Sequence, residues 1–98
     1  MVITNVGQPN IIEYRGAFKF QGKVCIIMEL AGNDLYKHKN ARKGGRKPPF
    51  TLQCIRHIMH QLLLGIEYIH GEGYTHRDLK QTNILVTQWD QKTDLPVV

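Results

Sequence analysis

Residues 51–83 read TLQCIRHIMHQLLLGIEYIHGEGYTHRDLKQTN, and this stretch decides the fold class. In its first twenty residues, apolar side chains recur at steps of three and four, which places them on one face of an α-helix. They are Ile55, Ile58, Leu62, Ile66 and Ile69. Thr51 lies just after two prolines and can cap the helix N-terminus, while Gly71 and Gly73 can end the helix. The pattern predicts a helix from Thr51 to His70 with one face against a core.

The polar segment that follows, from His76 to Asn83, reads HRDLKQTN and is predicted to be a loop. The short apolar run after it, Ile84 to Val86, is predicted to be a strand. The loop matches all five fixed positions of the protein-kinase catalytic-loop motif, H-R-D-L-x-x-x-N. A long helix before the motif and a short strand after it agree with that interpretation. The alternative is a hydrated turn that only joins the helix to the strand.

The residue types in this loop suit phosphoryl transfer, which needs positioning and charge neutralisation more than covalent chemistry. Asp78 can orient an attacking hydroxyl group and accept its proton. Lys80 can balance the negative charge of the transferring phosphoryl group. The amide oxygen of Asn83 is the kind of hard ligand that Mg²⁺ prefers. We therefore predict Asp78, Lys80 and Asn83 as catalytic residues, with Asn83 also a metal ligand.

The chain resembles a eukaryotic protein kinase along nearly all of its length. The segment from Gln8 to Ile12, QPNII, is similar to the H-P-N-I-I segment that joins the family's regulatory helix to its fourth strand. The run from Val24 to Leu30 resembles the fifth strand, which leads into the hinge between the two lobes. The resemblance implies a partial kinase-like α+β fold, with residues 1–30 ending the small lobe, residues 31–34 forming the hinge and residues 35–98 starting the large lobe.

By the same likeness, ATP would bind against the hinge. Met28 would be the gatekeeper behind the adenine, and the backbone groups of Glu29 and Ala31 would hydrogen-bond its edge. Asp34 would face the ribose, and Leu85 would pack against the adenine ring. Core packing is the alternative for Met28 and Leu85, and helix capping is the alternative for Asp34.

The resemblance also implies a class and several supporting roles. Asp78-Leu79-Lys80 is the pattern of serine/threonine kinases, so the implied reactants are ATP with Mg²⁺ and a protein substrate. Arg77 would contact the activation loop. Three residues fall where the family stacks its regulatory spine, namely Ile3, Tyr14 and His76.

A β-hairpin is predicted upstream of the hinge. Ile11 to Phe18 and Val24 to Leu30 are rich in branched and aromatic residues, and Gly22 between them is available for a positive φ. Because VCIIMEL is nearly all apolar, the second strand is predicted to be buried on both faces.

Two weaker patterns complete the prediction of secondary structure. Asn33-Asp34 can cap a short helix from Leu35 to Ala41. Residues 87–96 are polar and are predicted to be a loop, and Val97-Val98 is predicted to begin a strand.

Composition indicates one small globular domain or a piece of a larger one. The chain has 98 residues, of which 42% are hydrophobic and 21% charged, as is usual for a globular protein. Its longest apolar stretch is far shorter than the roughly 20 residues that span a bilayer, and its N-terminus lacks a signal-peptide pattern. Cys25 and Cys54 show no metal or redox spacing. We therefore expect an intracellular protein of the cytoplasm or nucleus, without a membrane partner.

The positive charge is local. The net charge is +5, yet the run from Lys37 to Lys47, KHKNARKGGRK, contains six lysines and arginines and no acid. Its glycines and the two prolines after it favour a solvated loop. A possible acidic partner could bind this run, whereas nucleic acid is not expected, because the run lacks interleaved aromatic residues for base stacking.

The 98 residues do not include several kinase motifs: the glycine-rich phosphate loop, the D-F-G sequence and the A-P-E sequence. The chain is therefore expected to be a central fragment of a catalytic domain. Two functions remain open at this stage. One is a serine/threonine kinase fragment that takes part in ATP–Mg²⁺-dependent phosphoryl transfer in its full-length context, although inactive alone. The other is an inactive remnant that only binds a partner.

Overall fold

The computed structural model describes residues 8–42, 50–90 and 92–98. The chain begins with strands β1 (Tyr14–Phe20) and β2 (Lys23–Met28) and continues with helices α1 (Leu35–Ala41) and α2 (Leu52–Gly71). A 3₁₀ turn (Gln81–Asn83) leads to strands β3 (Gln88–Asp90) and β4 (Leu95–Val97). In the described part of the chain, each pair of strands forms a separate antiparallel sheet. This order of a hairpin followed by helices confirms the predicted partial α+β fold.

The β1–β2 hairpin turns at Gln21 and Gly22, which have φ values of 50° and 75°. Two positive φ values in a two-residue turn match the right-handed twist of the strands. Phe20 pairs with Lys23 across the turn, so the strands continue up to it on both sides. The predicted role of Gly22 is confirmed.

The predicted burial of the second strand on both faces is wrong. Val24 and Ile26 are 68% and 61% exposed, and Met28 is also exposed. The hairpin has only two strands, and the sheet is covered on neither face of β2 by any other described element. An isolated two-stranded sheet leaves its apolar side chains in water, and such a hairpin is only marginally stable by itself.

Both helices begin at the predicted caps. Asp34 accepts the Lys37 N–H through Oδ1 at 2.8 Å, and the Thr51 hydroxyl accepts the Cys54 N–H at 3.1 Å. Each bond satisfies one of the unpaired N–H groups of a first turn. The second helix ends near Gly73, whose φ of 85° suits glycine, and the Tyr74 N–H donates back to the Ile69 carbonyl.

The core lies where α1, α2 and the hairpin formed by β3 and β4 meet. Five buried apolar residues form it: Leu35, Cys54, Ile58, Val86 and Val98. The buried side of α2 also includes Gln61 and Gly65, so it is rotated from the predicted isoleucine face. Ile55 is exposed. The reason is tertiary, since β4 packs against this side of α2.

Two predictions after the catalytic loop need correction. The run from Ile84 to Val86 is not a strand of either sheet. It makes one isolated β-bridge, between Asp34 and Leu85. Residues 87–96 are not a simple loop, because β3 pairs with β4, with Trp89 opposite Pro96. The Asp90 carboxylate accepts the N–H groups of Lys92 and Thr93 in the connection, and these bonds lower its pKa. The predicted strand start at Val97 is the end of β4.

An ion pair joins the end of α1 to the β3–β4 hairpin. The Arg42 guanidinium donates to both Asp94 carboxylate oxygens, at 3.0 and 2.7 Å. The same guanidinium lies 4.8 Å from the Phe50 ring centre and 4.9 Å from the Trp89 ring centre. The Trp89 indole N–H also donates to Asp94. The cluster fastens the short hairpin to the helices.

No helix among the described residues has both the length and the apolar composition needed to cross a membrane. The prediction for Ile3 falls outside the described residues, as does the part of the basic run beyond Arg42.

Candidate active site

The catalytic loop begins after the end of α2 and turns sharply at Arg77. Arg77 has φ of 73°, a left-handed conformation that few residues with a side chain adopt. The turn brings the Asp78 N–H to 3.1 Å from Nδ1 of His76, which accepts the bond. This strained backbone is typical of a functional loop held by its surroundings.

The structure brings the three predicted catalytic side chains together. The Asn83 amide nitrogen donates to the Asp78 carbonyl at 2.9 Å and to its carboxylate Oδ2 at 3.2 Å. The Lys80 Nζ lies 3.6 Å from the same Oδ2. Because the nitrogen end of the Asn83 amide faces Asp78, its oxygen end points away from that carboxylate and is available to a cation.

All three side chains are open to solvent, with Asp78 and Lys80 each more than half exposed. The exposure suits residues that must meet a substrate from another molecule. It also means that the Lys80–Asp78 ion pair contributes little to stability by itself.

A short backbone ladder fixes the segment after the loop against the predicted hinge. The Gly32 N–H donates to the Val86 carbonyl at 2.8 Å, and the Leu35 N–H donates to the Ile84 carbonyl at 2.8 Å. The Val86 N–H returns a bond to the Asn33 carbonyl at 3.1 Å. A Cβ on Gly32 would lie 2.5 Å from the Val86 carbonyl oxygen, so the ladder requires glycine there.

A cleft of about 200 Å³ lies beside this ladder. Five of the predicted site residues line it: Glu29, Ala31, His76, Asn83 and Leu85. The rest of the wall is largely apolar and comes from the segment before β1, from α2, and from Leu79, Ile84, Thr87 and Val98. A flat apolar ring with a polar edge fits such a lining better than a chain of phosphates does.

Other predicted residues lie outside the cleft wall. Met28 is exposed at the end of β2, and Tyr14 is half-buried at the start of β1. Asp34 caps α1 through Oδ1, which agrees with the capping alternative, and it also pairs with Leu85. Asp78 and Lys80 do not line the cleft, although they contact or lie close to Asn83, which does.

A second, larger cavity of about 630 Å³ lies on the other side of Leu62 and Ile84, which line both cavities. Its wall is mostly apolar and comes from α1, α2 and Phe50, with Lys39, Arg42 and Gln81 as polar members, and none of the predicted catalytic residues lines it. The smaller cleft is the candidate site, because Asn83 and four other predicted site residues line it.

The sequence prediction missed three residues that shape the cleft. Gly32 makes the close backbone approach, and Asn10 and Gln61 hold Val98 by hydrogen bonds. The signal for Gln61 was present, since it is a polar residue among the apolar positions of α2. Its two long-range bonding partners are 35 and 37 residues away and could not be read from the sequence pattern.

Comparison with known families gives the class of this fold and site. The family model described as protein kinase domain matches residues 1–95. The chain therefore belongs to the protein kinase domain family, which confirms the family prediction.

Three similar relatives have names that describe a kinase or a cell division control protein. The chain is 34% identical over 88 residues to "Serine/threonine-protein kinase Nek1" of Mus musculus, which covers 89% of this chain and 7% of that protein. It is 36% identical over 88 residues to "Developmentally-regulated protein kinase 1" of Dictyostelium discoideum, covering 89% of this chain and 12% of the relative. It is 35% identical over 86 residues to "Cell division control protein 2 homolog 3" of Trypanosoma brucei brucei, covering 88% of this chain and 26% of the relative. The chain thus spans at most about a quarter of the length of these relatives.

Proposed function

We propose that this chain supplies the catalytic loop and the adenine side of the cleft in an enzyme that transfers a phosphoryl group from ATP to a serine or threonine hydroxyl of a protein. The observation that supports the proposal most directly is the cluster of Asp78, Lys80 and Asn83 within hydrogen-bond and ion-pair distance. In this proposal residues 1–30 end the small lobe, residues 31–34 form the hinge and residues 35–98 start the large lobe.

Asp78 is the proposed proton acceptor. Its carboxylate is exposed, and the Asn83 amide and the Lys80 ammonium hold the Oδ2 atom from two sides. A substrate hydroxyl can approach the remaining oxygen, Oδ1, and pass its proton there as its oxygen bonds to the γ-phosphorus of ATP and the bond from that phosphorus to ADP breaks. Lys80 stands close enough to stabilise negative charge that develops beside Asp78.

Asn83 is the proposed ligand for Mg²⁺. No group of three or more histidine, cysteine, aspartate or glutamate side chains in residues 8–42, 50–90 and 92–98 could hold a metal. The donor chemistry of an amide oxygen fits Mg²⁺, which proteins often bind through few side chains together with substrate phosphates. Mg²⁺ would supply neutralisation of phosphate charge, and the chain would contribute one oxygen ligand.

The adenine would lie in the cleft against Leu85. Glu29 and Ala31 line the cleft and would offer backbone groups to the adenine edge, as the family resemblance implies. Met28 as gatekeeper and Asp34 at the ribose stay proposals of the same origin. So do Arg77 as an activation-loop contact and the spine positions Ile3, Tyr14 and His76.

A second candidate function is an inactive remnant that only binds a partner. The exposed apolar side chains on both faces of the β1–β2 hairpin favour it, since such patches mark interaction surfaces. The basic run from Lys37 to Lys47 would suit an acidic partner through exposed lysines such as Lys37 and Lys39, whereas Arg42 is buried and paired with Asp94.

A chimera separates the two functions. Residues 1–98 replace the matching segment of the Dictyostelium discoideum relative, and labelled ATP transfer to serine or threonine of a basic protein substrate is measured with Mg²⁺. We expect turnover, and we expect Asp78→Asn to lower kcat by about 10²–10⁴-fold. Asp90→Asn is the matched control, because this exposed aspartate is the last residue of β3 and does not line the cleft. A folded chimera without turnover would favour the binding remnant, and turnover that Asp78→Asn leaves unchanged would overturn the proposed role of Asp78.

A further inference from the structure

Gln61 is a buried polar residue in the middle of α2, and both ends of its amide are bonded. The nitrogen donates to the Pro96 carbonyl at 3.0 Å and to the His57 carbonyl at 3.1 Å. The oxygen accepts the Val98 N–H at 3.0 Å. The side chain therefore holds the backbone on both sides of Val97.

Asn10 holds the same backbone from the other side of the cleft. Its amide nitrogen donates to the Val98 carbonyl at 2.7 Å. The segment that contains Asn10 is itself seated on α2, because a Cβ on Gly65 would lie only 3.1 Å from the Asn10 carbonyl oxygen. Both polar backbone groups of Val98 are thus bound by side-chain amides, one from α2 and one from the segment before β1.

The arrangement takes the place of a third strand. One edge of β4 pairs with β3, with Val97 opposite Gln88. At Val98, the residue after β4, the side-chain amides of Gln61 and Asn10 provide the hydrogen bonds that a neighbouring strand would make. Buried polar bonds of this kind are costly to break, since the freed groups cannot reach water.

Val98 is also part of the cleft wall. It lines the same cleft as Ala31, Leu85 and Asn83, together with Asn10 itself. The position of this wall depends on Gln61 and Asn10, because they hold both polar backbone groups of Val98.

We propose that Gln61 and Asn10 are positioning residues for the nucleotide cleft. They hold Val98 at its wall, and they connect the segment before the hairpin to the helical part of the chain. The inference rests on the proposed function, because it assigns Gln61 and Asn10 a role in binding an adenine nucleotide. It differs from a purely structural role, in which Gln61 would only satisfy buried backbone groups.

The test uses the chimera described under the proposed function, with amide exchange followed by mass spectrometry of the peptides that contain Val98 and Gly32, and with binding of a fluorescent ATP analogue and Mg²⁺ followed by titration. Gln61→Met keeps the size of the side chain but removes its hydrogen bonds. Gln53→Met is the matched control, since Gln53 is exposed on the same helix. The Gly32 amide, which donates to Val86, is the internal reference for general unfolding.

We expect Gln61→Met to speed exchange of the Val98 amide about tenfold and to weaken nucleotide binding about fivefold to tenfold. Exchange of the Gly32 amide should stay unchanged, and Gln53→Met should behave as the wild-type chimera. Asn10→Ala should weaken binding in the same direction. It provides a second route to the result if Gln61→Met does not fold.

Unchanged nucleotide affinity in both folded variants, beside a wild-type chimera that binds, would overturn the positioning role alone. Equal acceleration of the Val98 and Gly32 amides in both variants would also overturn it, because the two residues would then support the whole fold. A folded wild-type chimera that does not bind the analogue would instead overturn the proposed function, and this inference with it.

Discussion

The backbone of Asp34 pairs with the backbone of Leu85 as an isolated antiparallel bridge. This bridge joins the residue that caps α1 to the residue just beyond the 3₁₀ turn of the catalytic loop. Bonds on either side of it, from Gly32 to Val86 and from Leu35 to Ile84, make the connection a short ladder. The ladder sets where Asn83 and Leu85 stand relative to the hinge side of the cleft.

Gly32→Ala should break this ladder. The new Cβ would meet the Val86 carbonyl oxygen at 2.5 Å, and that atom is backbone and cannot move aside cheaply. We expect a loss of unfolding free energy of about 1–3 kcal/mol, measured by urea denaturation with Trp89 fluorescence. Gly71→Ala is the control, because a Cβ there meets nothing within 4 Å. It should raise stability by up to about 1 kcal/mol, and equal effects of the two substitutions would contradict the ladder.

Asn83→Ala should lower Mg²⁺-dependent turnover in the chimera. The substitution removes the proposed metal ligand and also the two bonds to Asp78. Raising the Mg²⁺ concentration should therefore recover only part of the loss. Thr82→Ala, in the same exposed 3₁₀ turn, is the control and should keep its turnover. A loss that does not respond to Mg²⁺ would argue against a metal-binding role for Asn83.

The β1–β2 hairpin should cause the 98-residue chain to self-associate. Val24 and Ile26 lie on one exposed face of a strand whose outer edge has no partner among the described strands. Sedimentation velocity should show association that increases with concentration, and Val24→Lys with Ile26→Lys should reduce it. Leu52→Lys, at a similarly exposed site at the start of α2, should not. A monodisperse wild-type monomer would contradict this prediction.

The buried and the exposed ion pair should contribute different amounts to the free energy of unfolding. The Arg42 side chain is 6% exposed, whereas Arg15 and Glu13 are 55% and 49% exposed at 3.5 Å from each other. Arg42→Gln should lower the unfolding free energy by about 2–4 kcal/mol, since it disrupts a bidentate ion pair and the contacts of the guanidinium with two aromatic rings. Arg15→Gln should cost less than about 1 kcal/mol. Similar losses in thermal or urea denaturation would show that the Arg42 cluster does not fasten the hairpin.

The two cysteines should react at different rates. Cys54 is buried in the core, and this burial raises its pKa above the usual 9.0, while Cys25 is only half-buried. A thiol reagent should label Cys25 in the native chain and label Cys54 only after denaturation. Because the folded state favours the neutral thiol, the stability it contributes is complete below pH 9.0 and should fall as the pH rises toward its raised pKa. Rapid native labelling of Cys54 would contradict the core described here.

Local signals in the sequence were sufficient for several parts of the fold and the site. The caps at Asp34 and Thr51, the positive φ of Gly22 and the catalytic loop from His76 to Asn83 were all predicted. In each case the decisive contact is between residues at most five positions apart, such as the Asn83 amide and Asp78. Short segments contain the donors and acceptors for such contacts, so their sequence is enough to specify them.

Only the tertiary structure decided the rest. It showed that β2 is exposed, although its apolar run suggested burial, because burial depends on a neighbour that a strand cannot specify by itself. It placed Gln61 rather than Ile55 in the buried side of α2, because the packing of β4 selected that side. It also joined Arg42 to Asp94 across 52 positions and Asn10 to Val98 across 88. Contacts over such distances form only when the whole chain folds, and they leave no periodic pattern in the sequence from which they could be predicted.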